Sequence, residues 1–480
     1  KEYYVLMLLL HGAMLGVFCA RDLLLFYVFF EFTLIPLYFI IAIWGGRERR
    51  RAANMFFIYT LAGSMFTFAG VLYLGWLSYG FGPGGHAVFS FDMDRLYQMA
   101  DAGALTSNVQ WWLFLALFAG FAIKAPVFPF HTWLPLAHTE APTAGSAILA
   151  GVLLKLGTYG LLRISLPILP EGTWAWAPLL AVLAIIGILY GAVAAWVQRD
   201  VKKLVAYSSV SHLGFCVLGL LCMNMAGLSG SLLYMLNHGL STAALFFVIG
   251  MIYERYHTRN IDQLGGLARK MPRMAFFLIV FSLSSLGLPG LNGFVSEFLV
   301  LLGTFTSGQA GAVTPPGPLG ITHATFAALG IVLSAAYLLH MCRCLLFGPE
   351  KEPDHGMDRM SGLSQDLNGR EVLVLTPIAV LCLLLGVAPR PVLDVIQPPL
   401  ERQTLSRLAA AGFAQHERSI DIEELLAPDE DQAVAGRDPE GLASRRSGRE
   451  PKREMTTPTR DIASRRHDAE PTRGLQRGAP

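Results

Sequence analysis

Residues 22–44 read DLLLFYVFFEFTLIPLYFIIAIW, an apolar run in which Glu31 is the single charge after Asp22. A stretch of about 18 or more apolar residues can cross the bilayer core as a helix. A carboxylate near the centre of such a helix costs at least about 2.5 kcal/mol to insert. The run therefore predicts a membrane-spanning helix that retains a charged group for function.

Similar apolar segments fill most of the chain. Its composition agrees, with 53% hydrophobic and only 15% charged residues, whereas soluble domains have roughly 25% charged residues. The predicted fold class is an all-α polytopic membrane protein with about eleven transmembrane helices. The segments lie at 3–20, 22–44, 54–79, 112–135, 143–166, 176–197, 204–223, 229–253, 274–303, 323–347 and 372–396.

The loops between these segments have an uneven distribution of charge. If the segments alternate in direction, the loops at 45–53, 136–142, 198–203, 254–273 and 348–371 share one side and hold fifteen Lys and Arg. The opposite loops within 20–322 hold only Arg21 and Arg95. Basic residues of short loops stay on the cytoplasmic side. We therefore expect a multi-pass protein of the cell inner membrane, surrounded by lipid, with its basic loops cytoplasmic.

Two segments contain helix-breaking sequences, APVFP at 125–129 and GLPG at 287–290. A simple proline kink is one interpretation of each. Each break, however, falls in the fourth helix of a five-helix group, at 1–166 and 176–347. Because five is odd, the two groups run in opposite directions. This pattern predicts two inverted repeats, in which paired broken helices mark a transport path.

The two ends of the chain carry separate expectations. We interpret 372–396 as a C-terminal transmembrane helix and 401–480, with 14 basic and 15 acidic residues, as a disordered charged tail. A short amphipathic helix near 399–427 is an alternative for the start of that tail. The chain begins with Lys1 and has no signal-peptide pattern, so we expect that an N-terminal part precedes it.

Four charged residues lie well inside apolar segments: Glu31, Lys124, Lys155 and Glu297. Such residues normally face the bundle interior and mark ion or proton paths. A desolvated carboxyl or ammonium group can titrate near neutral pH, and a neighbouring opposite charge reverses this effect. Glu31 and Lys124 are therefore the candidate switchable pair. The alternative is that the four charges form buried pairs that only hold helices together.

Histidines and cysteines complete the set of reactive side chains. His212 and His238 lie in successive segments and can relay protons, because imidazole accepts on one nitrogen and donates on the other; His131 and His138 are weaker candidates. The six cysteines form no C-x-x-C pair, and we expect small buried hydrophobes rather than a metal site. Nucleotide-binding loops and nucleophile triads are missing from the sequence, and nothing indicates a nucleic-acid partner.

Six further stretches are distinctive beside the 22–44 run. They are AIKAPVFPFHTWLPLAHTEAPT (122–143), AGVLLKLGTYGLLR (150–163), RDVKKLVAYSSVSHLGF (199–215), LNHGLSTAALFF (236–247), YERYHTRNI (253–261) and LPGLNGFVSEFLVLLG (288–303). These motifs resemble the antiporter-like subunits of respiratory complex I, the proton-translocating NADH:quinone oxidoreductase, and most closely their M type (chain 4 type in mitochondria). The resemblance covers about residues 1–396.

The resemblance implies a function and a set of site residues. In that family one proton channel contains a Glu–Lys pair, a central Lys, bridging histidines and a terminal charged group. These roles fall on Glu31, Lys124, Lys155, His212, His238 and Glu297. The chain itself would hold no cofactor and perform no redox step, while NADH, FMN, iron–sulfur clusters and quinone would belong to partner subunits. L-type and N-type antiporter-like chains would be its membrane partners, and the complex would be bacterial.

The resemblance also has departures and alternatives. Members of this type usually have fourteen helices, so three would be missing before Lys1. Leu136 stands where bacterial relatives commonly have Asp, which puts in doubt an acidic group at the cytoplasmic mouth. One alternative function is a subunit of a multisubunit cation/proton antiporter or of a hydrogenase-linked complex. Another is a membrane scaffold without transport.

Overall fold

A computed structural model of the chain describes residues 1–81, 88–309, 316–351, 353 and 366–426. These residues form helices and loops, and within them β-pairing is limited to three isolated bridges. Residues Lys1–Ile422 form one unit, and a second unit is Glu423–Pro480.

The helices of the first half are α1 (Glu2–Cys19), α2 (Leu23–Phe32), α3 (Leu34–Trp44), α4 (Arg49–Leu77), α5 (Met93–Asp101), α6 (Ser107–Lys124), α7 (Trp133–Glu140), α8 (Thr143–Ile148), α9 (Lys155–Gly160) and α10 (Leu166–Ile168). A 3₁₀ turn follows α4 at Ser78–Gly80, and two π-helical turns, Leu149–Leu153 and Leu161–Ser165, flank α9.

The helices of the second half are α11 (Pro170–Trp196), α12 (Val201–Leu220), α13 (Met225–Tyr256), α14 (Leu267–Lys270), α15 (Pro272–Ser285), α16 (Asn292–Ser307), α17 (Ile321–Leu346), α18 (Gly369–Val387), α19 (Arg390–Leu400) and α20 (Ser406–Leu426). A 3₁₀ turn lies at Ile261–Gln263, and a π-helical turn at Glu401–Leu405 joins α19 to α20.

The predicted fold class, an all-α polytopic membrane protein, is confirmed for the described part of the chain. Nine helical stretches are long and apolar enough to cross a membrane: Glu2–Cys19, Leu23–Trp44, Arg49–Gly80, Thr143–Ile168, Pro170–Trp196, Val201–Leu220, Met225–Tyr256, Ile321–Leu346 and Gly369–Val387. The pairs α6/α7 and α15/α16 are the two broken segments. Together they correspond to the eleven apolar segments of the sequence.

The C-terminal boundaries differ from the prediction. The last spanning helix ends at Val387 rather than at residue 396, because Pro389 cannot continue it and instead precedes a new helix that begins at Arg390. Residues 401–426 were predicted as tail but are helical. The alternative of a helix near 399–427 was therefore closer, although the helical run starts at Arg390. Residues 427–480 lie outside the described residues.

Helix α12 lies at the centre of the bundle. Most of its length is buried, and the N-cap Asp200 carboxylate accepts hydrogen bonds from the amides of Lys202 and Lys203. In contrast, α4 and α18 expose large apolar side chains, such as Phe66 and Leu373, at 63% and 71%. Exposed apolar surface of this kind marks contact with lipid or a partner subunit. Polar side chains on α12 are thus held away from lipid.

Candidate functional site

The four predicted intramembrane charges occupy different environments. Lys124, Lys155 and Glu297 are buried, with 3%, 5% and 3% of their surface exposed, and Glu31 is half-buried. All four lie on helices of the first unit. Because lipid cannot solvate a charge, these groups depend on protein contacts for their stabilisation.

The Lys124 ammonium group contacts Thr33 rather than Glu31. Its Nζ donates a hydrogen bond of 2.9 Å to the Thr33 hydroxyl and lies 4.7 Å from the centre of the Phe30 ring. Glu31 Oε1 is buried without a hydrogen-bond partner. The described residues form no Glu31–Lys124 ion pair within 4.0 Å, although the two charges are close enough to interact electrostatically.

The first helix break positions Lys124. Lys124 is the last residue of α6, and Pro126 and Pro129 prevent the helix from continuing to α7. The indole N–H of Trp133 donates to the Ile123 carbonyl at 3.0 Å and so provides a partner for backbone that the break would otherwise leave bare inside the membrane. The Lys124 side chain is therefore held at the end of a fixed helix.

Lys155 lies between two π-helical turns. Such turns often occur at functional sites because they displace side chains from regular helical positions. The Lys155 ammonium group donates to the Ala150 carbonyl and contacts His238 Nδ1 at 2.7 Å. This contact joins the central lysine to α13.

Beyond His238 a second set of polar contacts joins α12 and α13 to α16, and a gap between two histidine rings separates it from Lys155. The His238 and His212 rings lie 5.5 Å apart between centroids. His212 Nδ1 is 2.7 Å from the Tyr234 hydroxyl, which donates to Glu297 Oε1 at 2.6 Å. His212 Nδ1 and Glu297 Oε1 are themselves 3.9 Å apart. Tyr234 thus links His212 to Glu297, while Lys155 contacts the neighbouring His238.

The series is interrupted between Lys124 and Lys155. The hydrogen bonds of the described residues do not connect these two side chains. Helices α6 and α9 approach closely there, since a Cβ atom at Gly157 would lie 2.5 Å from the Phe121 carbonyl oxygen. The six predicted residues therefore form two groups, Glu31 with Lys124 and Lys155 through Glu297.

The basic loops meet at a polar cavity of about 450 Å³, whose lining includes Glu140, Lys202 and Arg259. Lys202 Nζ donates to the Ala141 carbonyl at 2.5 Å, and Glu140 Oε2 accepts from the amide of Glu48 at 2.9 Å. Glu140 thus places an acidic group at this cavity, whereas Leu136 packs against the hydrophobic core.

His138 and His131 lie outside the series of contacts. His138 stacks on Phe246 with ring centroids 4.7 Å apart, and both of its nitrogens are buried without a hydrogen-bond partner. His131 stacks on Phe128 at 5.6 Å. Neither contacts Lys155 or Glu297 directly, in keeping with their weaker ranking.

The reactive side chains do not assemble a metal site within the described ranges, where no three of the His, Cys, Asp and Glu residues gather. All six cysteines are unpaired, and four of them are buried. Cys19 is exposed and Cys344 is intermediate, so the expectation of buried cysteines is wrong for these two.

Comparison with known proteins places this arrangement in a family. A family model described as NADH:quinone oxidoreductase/Mrp antiporter, TM, matches residues 20–315, which is more than half of the 480 residues. This chain belongs to that family. The match spans the helices that carry Glu31, Lys124, Lys155, His212 and Glu297.

Curated relatives agree with the M-type assignment within the NADH:quinone oxidoreductase/Mrp antiporter family. NADH-quinone oxidoreductase subunit M of Rhodobacter capsulatus is 42% identical over 400 residues, covering 83% of this chain and 74% of the relative. NADH-ubiquinone oxidoreductase chain 4 of Arabidopsis thaliana is 42% identical over 395 residues, covering 82% and 73%.

Solved structures of the family agree with the fold. A chain of respiratory complex I from Thermus thermophilus with bound NADH superposes with a TM-score of 0.73 at 35% identity, covering 85% of this chain and 79% of that one. A chain of the Mrp complex from Dietzia sp. DQ12-45-1b gives 0.69 at 24% identity, with coverage of 85% and 79%. The second likeness bears on the fold alone.

Three contact residues of this family member are not among the residues predicted from the sequence: Thr33, Tyr234 and Tyr337. The Tyr337 hydroxyl lies 3.2 Å from His212 Nε2. Tyr234 precedes His238 by four residues, the spacing that places side chains on one helix face, so this signal was present in the sequence. Thr33 and Tyr337 had no comparable signal, since their contacts depend on packing between helices that are distant in sequence.

Proposed function

We propose that the chain is a proton-translocating membrane-arm subunit of NADH:quinone oxidoreductase, respiratory complex I. Protons would move along Glu31, Lys124, Lys155, His238, His212 and Glu297, with Tyr234 as an added member. The observation that carries this proposal is a pair of buried hydrogen-bonded sets, Lys155 with His238 and His212 with Tyr234 and Glu297, whose histidine rings lie 5.5 Å apart among the membrane-spanning helices of a chain that belongs to this family.

Each group in the series can pass a proton to its neighbour. Lys155 Nζ faces His238 Nδ1 at 2.7 Å, so an ammonium proton can move onto the imidazole. The 5.5 Å separation of the two rings requires a ring movement or a bridging water before His212 receives a proton. The Tyr234 hydroxyl can then accept a proton from His212 as it passes its own proton to Glu297, because a hydroxyl both donates and accepts hydrogen bonds.

Glu31 and Lys124 would act as the switch of this mechanism. Thr33 holds the Lys124 ammonium group away from direct contact with Glu31. If Lys124 moved from the Thr33 hydroxyl towards the unpartnered Glu31 Oε1, the positive charge facing the Lys155 helix would change. A changed field alters the proton affinity of neighbouring groups. Movement of one side chain would thus be coupled to uptake or release of a proton.

The redox chemistry would take place in partner subunits. NADH, FMN, iron–sulfur clusters and quinone would be bound there, and L-type and N-type antiporter-like chains would flank this chain in the membrane. The basic loops would face the cytoplasm of a bacterial inner membrane. Segments 1–166 and 176–347 would form two inverted repeats, a division supported by the break in the fourth segment of each.

A cation/proton antiporter subunit is the second candidate, because the family model includes Mrp antiporters and an Mrp chain has the same fold. Identity of 42% to quinone oxidoreductase relatives, against 24% to the Mrp chain, favours the first function. Stimulation of transport by sodium, without dependence on NADH oxidation, would favour the second.

The test is proton pumping by the complete complex in inside-out membranes. Replacing Glu297 by Gln or Lys124 by Ala should remove most NADH-driven proton uptake while the complex still assembles. Lys203→Ala is a suitable control, because Lys203 is a basic residue of α12 outside the series. Normal pumping by both Glu297→Gln and Lys124→Ala would contradict the proposed function and favour a scaffold.

A further inference from the structure

The second broken segment contains a polar cluster that the proton series does not use. The chain turns between α15 and α16 at Gly287 and Gly290, whose φ angles are +78° and +94°. A break inside a membrane needs protein partners for its freed backbone groups. Ser284 precedes this break and Asn292 follows it, and the Ser284 hydroxyl donates to Asn292 Oδ1. The Asn292 side chain therefore ties the two halves together.

Asn237 of α13 completes the cluster. Its Nδ2 donates to the Asn292 carbonyl at 2.7 Å and to the Ser296 hydroxyl at 3.1 Å. In return, Asn292 Nδ2 donates to the Asn237 carbonyl at 3.3 Å. Each amide thus binds the backbone of the other residue, and both side chains are at most 1% exposed. We call this reciprocal pair, Asn237 and Asn292, the asparagine clasp.

The asparagine clasp lies beside the proton series on both helices. On α13, Tyr234 is three residues before Asn237 and His238 is the next residue; on α16, Glu297 follows Ser296. The Tyr234 hydroxyl reaches Glu297 Oε1 at 2.6 Å. Hydrogen bonds between oxygens weaken beyond about 3.0 Å, so a relative shift of about 1 Å between α13 and α16 would break this contact.

We propose that the asparagine clasp is a positioning device for proton transfer at Glu297. It holds α16 against α13 in the register that keeps the Glu297 carboxylate bonded to Tyr234. Asn237 and Asn292 carry no proton of the path themselves. This inference rests on the proposed function, because it assigns the two residues to the geometry of the Glu297 step.

The chain offers a matched control at the other end of the same interface. Asn224, the N-cap of α13, donates through Nδ2 to the Gly303 carbonyl of α16 at 2.7 Å. This is the same type of bond between neighbouring elements, but it is remote from the break. Asn224→Ala also removes a helix cap, so it tests whether general loosening of the interface is enough to impair pumping.

The experiment uses the purified complete complex in phospholipid vesicles, with protons pumped per NADH oxidised measured across a pH series. Asn237→Leu should lower this ratio by about fivefold or more, as expected if the helices shift and the hydrogen bond from Tyr234 to the Glu297 carboxylate is lost, and should move the pH profile. The Asn237→Leu/Asn292→Leu pair should be no worse than Asn292→Leu alone, because Asn292→Leu already removes its side of the clasp together with the bond to Ser284. Asn224→Ala should pump nearly as the wild type.

The outcomes separate the inference from the function on which it rests. If Asn237→Leu fails to assemble, Asn237→Ser replaces it, because serine is smaller and keeps one hydrogen-bond donor. The number of protons that Asn237→Ser pumps per NADH oxidised should lie between those of the wild type and Asn237→Leu. Normal pumping by the Asn237 variants, or an equal loss in Asn224→Ala, would overturn the positioning role. Glu297→Gln is measured alongside: if it pumps normally the proposed function fails, whereas if only Glu297→Gln is impaired the clasp alone is rejected.

Discussion

At the scale of single residues, Tyr234 is the hydroxyl on which the series of contacts depends. It contacts both His212 and Glu297, at 2.7 and 2.6 Å. Tyr234→Phe keeps the ring and removes this link, so we expect NADH-driven proton pumping to fall about tenfold. Tyr337→Phe removes only the 3.2 Å contact to His212 Nε2 and should have a smaller effect. Equal effects of the two variants would contradict the relay role of Tyr234.

Lys155 allows a test of whether its charge or its proton matters. Lys155→Arg keeps a positive charge, but a guanidinium group does not release its proton in proteins. We therefore expect Lys155→Arg complexes to assemble and to lose proton pumping to the level of Lys155→Leu. A structural role for the charge predicts the opposite, namely pumping by Lys155→Arg and failure of Lys155→Leu only. Proton uptake by inside-out membranes, normalised to the amount of complex, distinguishes the two.

At the scale of elements, the second break requires glycine for two separate reasons that substitutions can distinguish. Gly287 and Gly290 both have positive φ angles, which cost other residues about 1–2 kcal/mol. A Cβ atom at Gly287 would also lie 2.2 Å from Glu297 Oε2, whereas Gly290 has open space. Gly287→Ala should therefore impair pumping strongly, and Gly290→Ala should lower only thermal stability. Similar pumping in both would mean that the Glu297 position is not critical.

The contact of α6 with α9 gives a comparable test in the first half. A Cβ atom at Gly157 would lie 2.5 Å from the Phe121 carbonyl, while one at Gly151 would meet its nearest neighbour, Ala243, at 3.6 Å. Gly157→Ala should push α9 away from the end of α6 that carries Lys124. We expect a loss of about 1–3 kcal/mol in stability and reduced pumping, against little change for Gly151→Ala. Thermal stability and proton uptake of both variants check this.

At the scale of the whole molecule, the helices were predictable and the contacts between them were not. The eleven spanning segments follow from apolar length alone, and the four buried charges stand out within them. Whether two charges touch depends on the rotation and depth of each helix. Glu31 and Lys124 were therefore expected to pair, yet the Lys124 ammonium group donates its hydrogen bond to the Thr33 hydroxyl. The helix at 401–426 was predicted only as an alternative to a disordered tail, because its composition is charged and its stability comes from contacts with distant residues.

The contacts of residues 401–426 with earlier parts of the chain indicate how much of the C-terminal part is required for assembly of the complex. Trp174 Nε1 donates to the Leu408 carbonyl at 2.8 Å, and Arg407 forms a bidentate ion pair with Asp101 at 2.6 and 2.7 Å. In both contacts one partner, Leu408 or Arg407, belongs to residues 401–426. A chain that stops after Leu400 should therefore yield less assembled complex, whereas one that stops after Leu426 should assemble normally.

Arg407→Ala isolates the ion pair from the rest of α20. Because Asp101 is about half exposed, solvent screens this pair, and its loss should reduce assembly only slightly. Trp174→Phe should have a larger effect on assembly. It removes the indole N–H that donates to the Leu408 carbonyl and leaves that half-buried carbonyl without this hydrogen bond. The amount of intact complex on native gels and its thermal stability measure each step. If stopping after Leu426 reduced assembly as much as stopping after Leu400, the contacts of α20 would not be what anchors the C-terminal part.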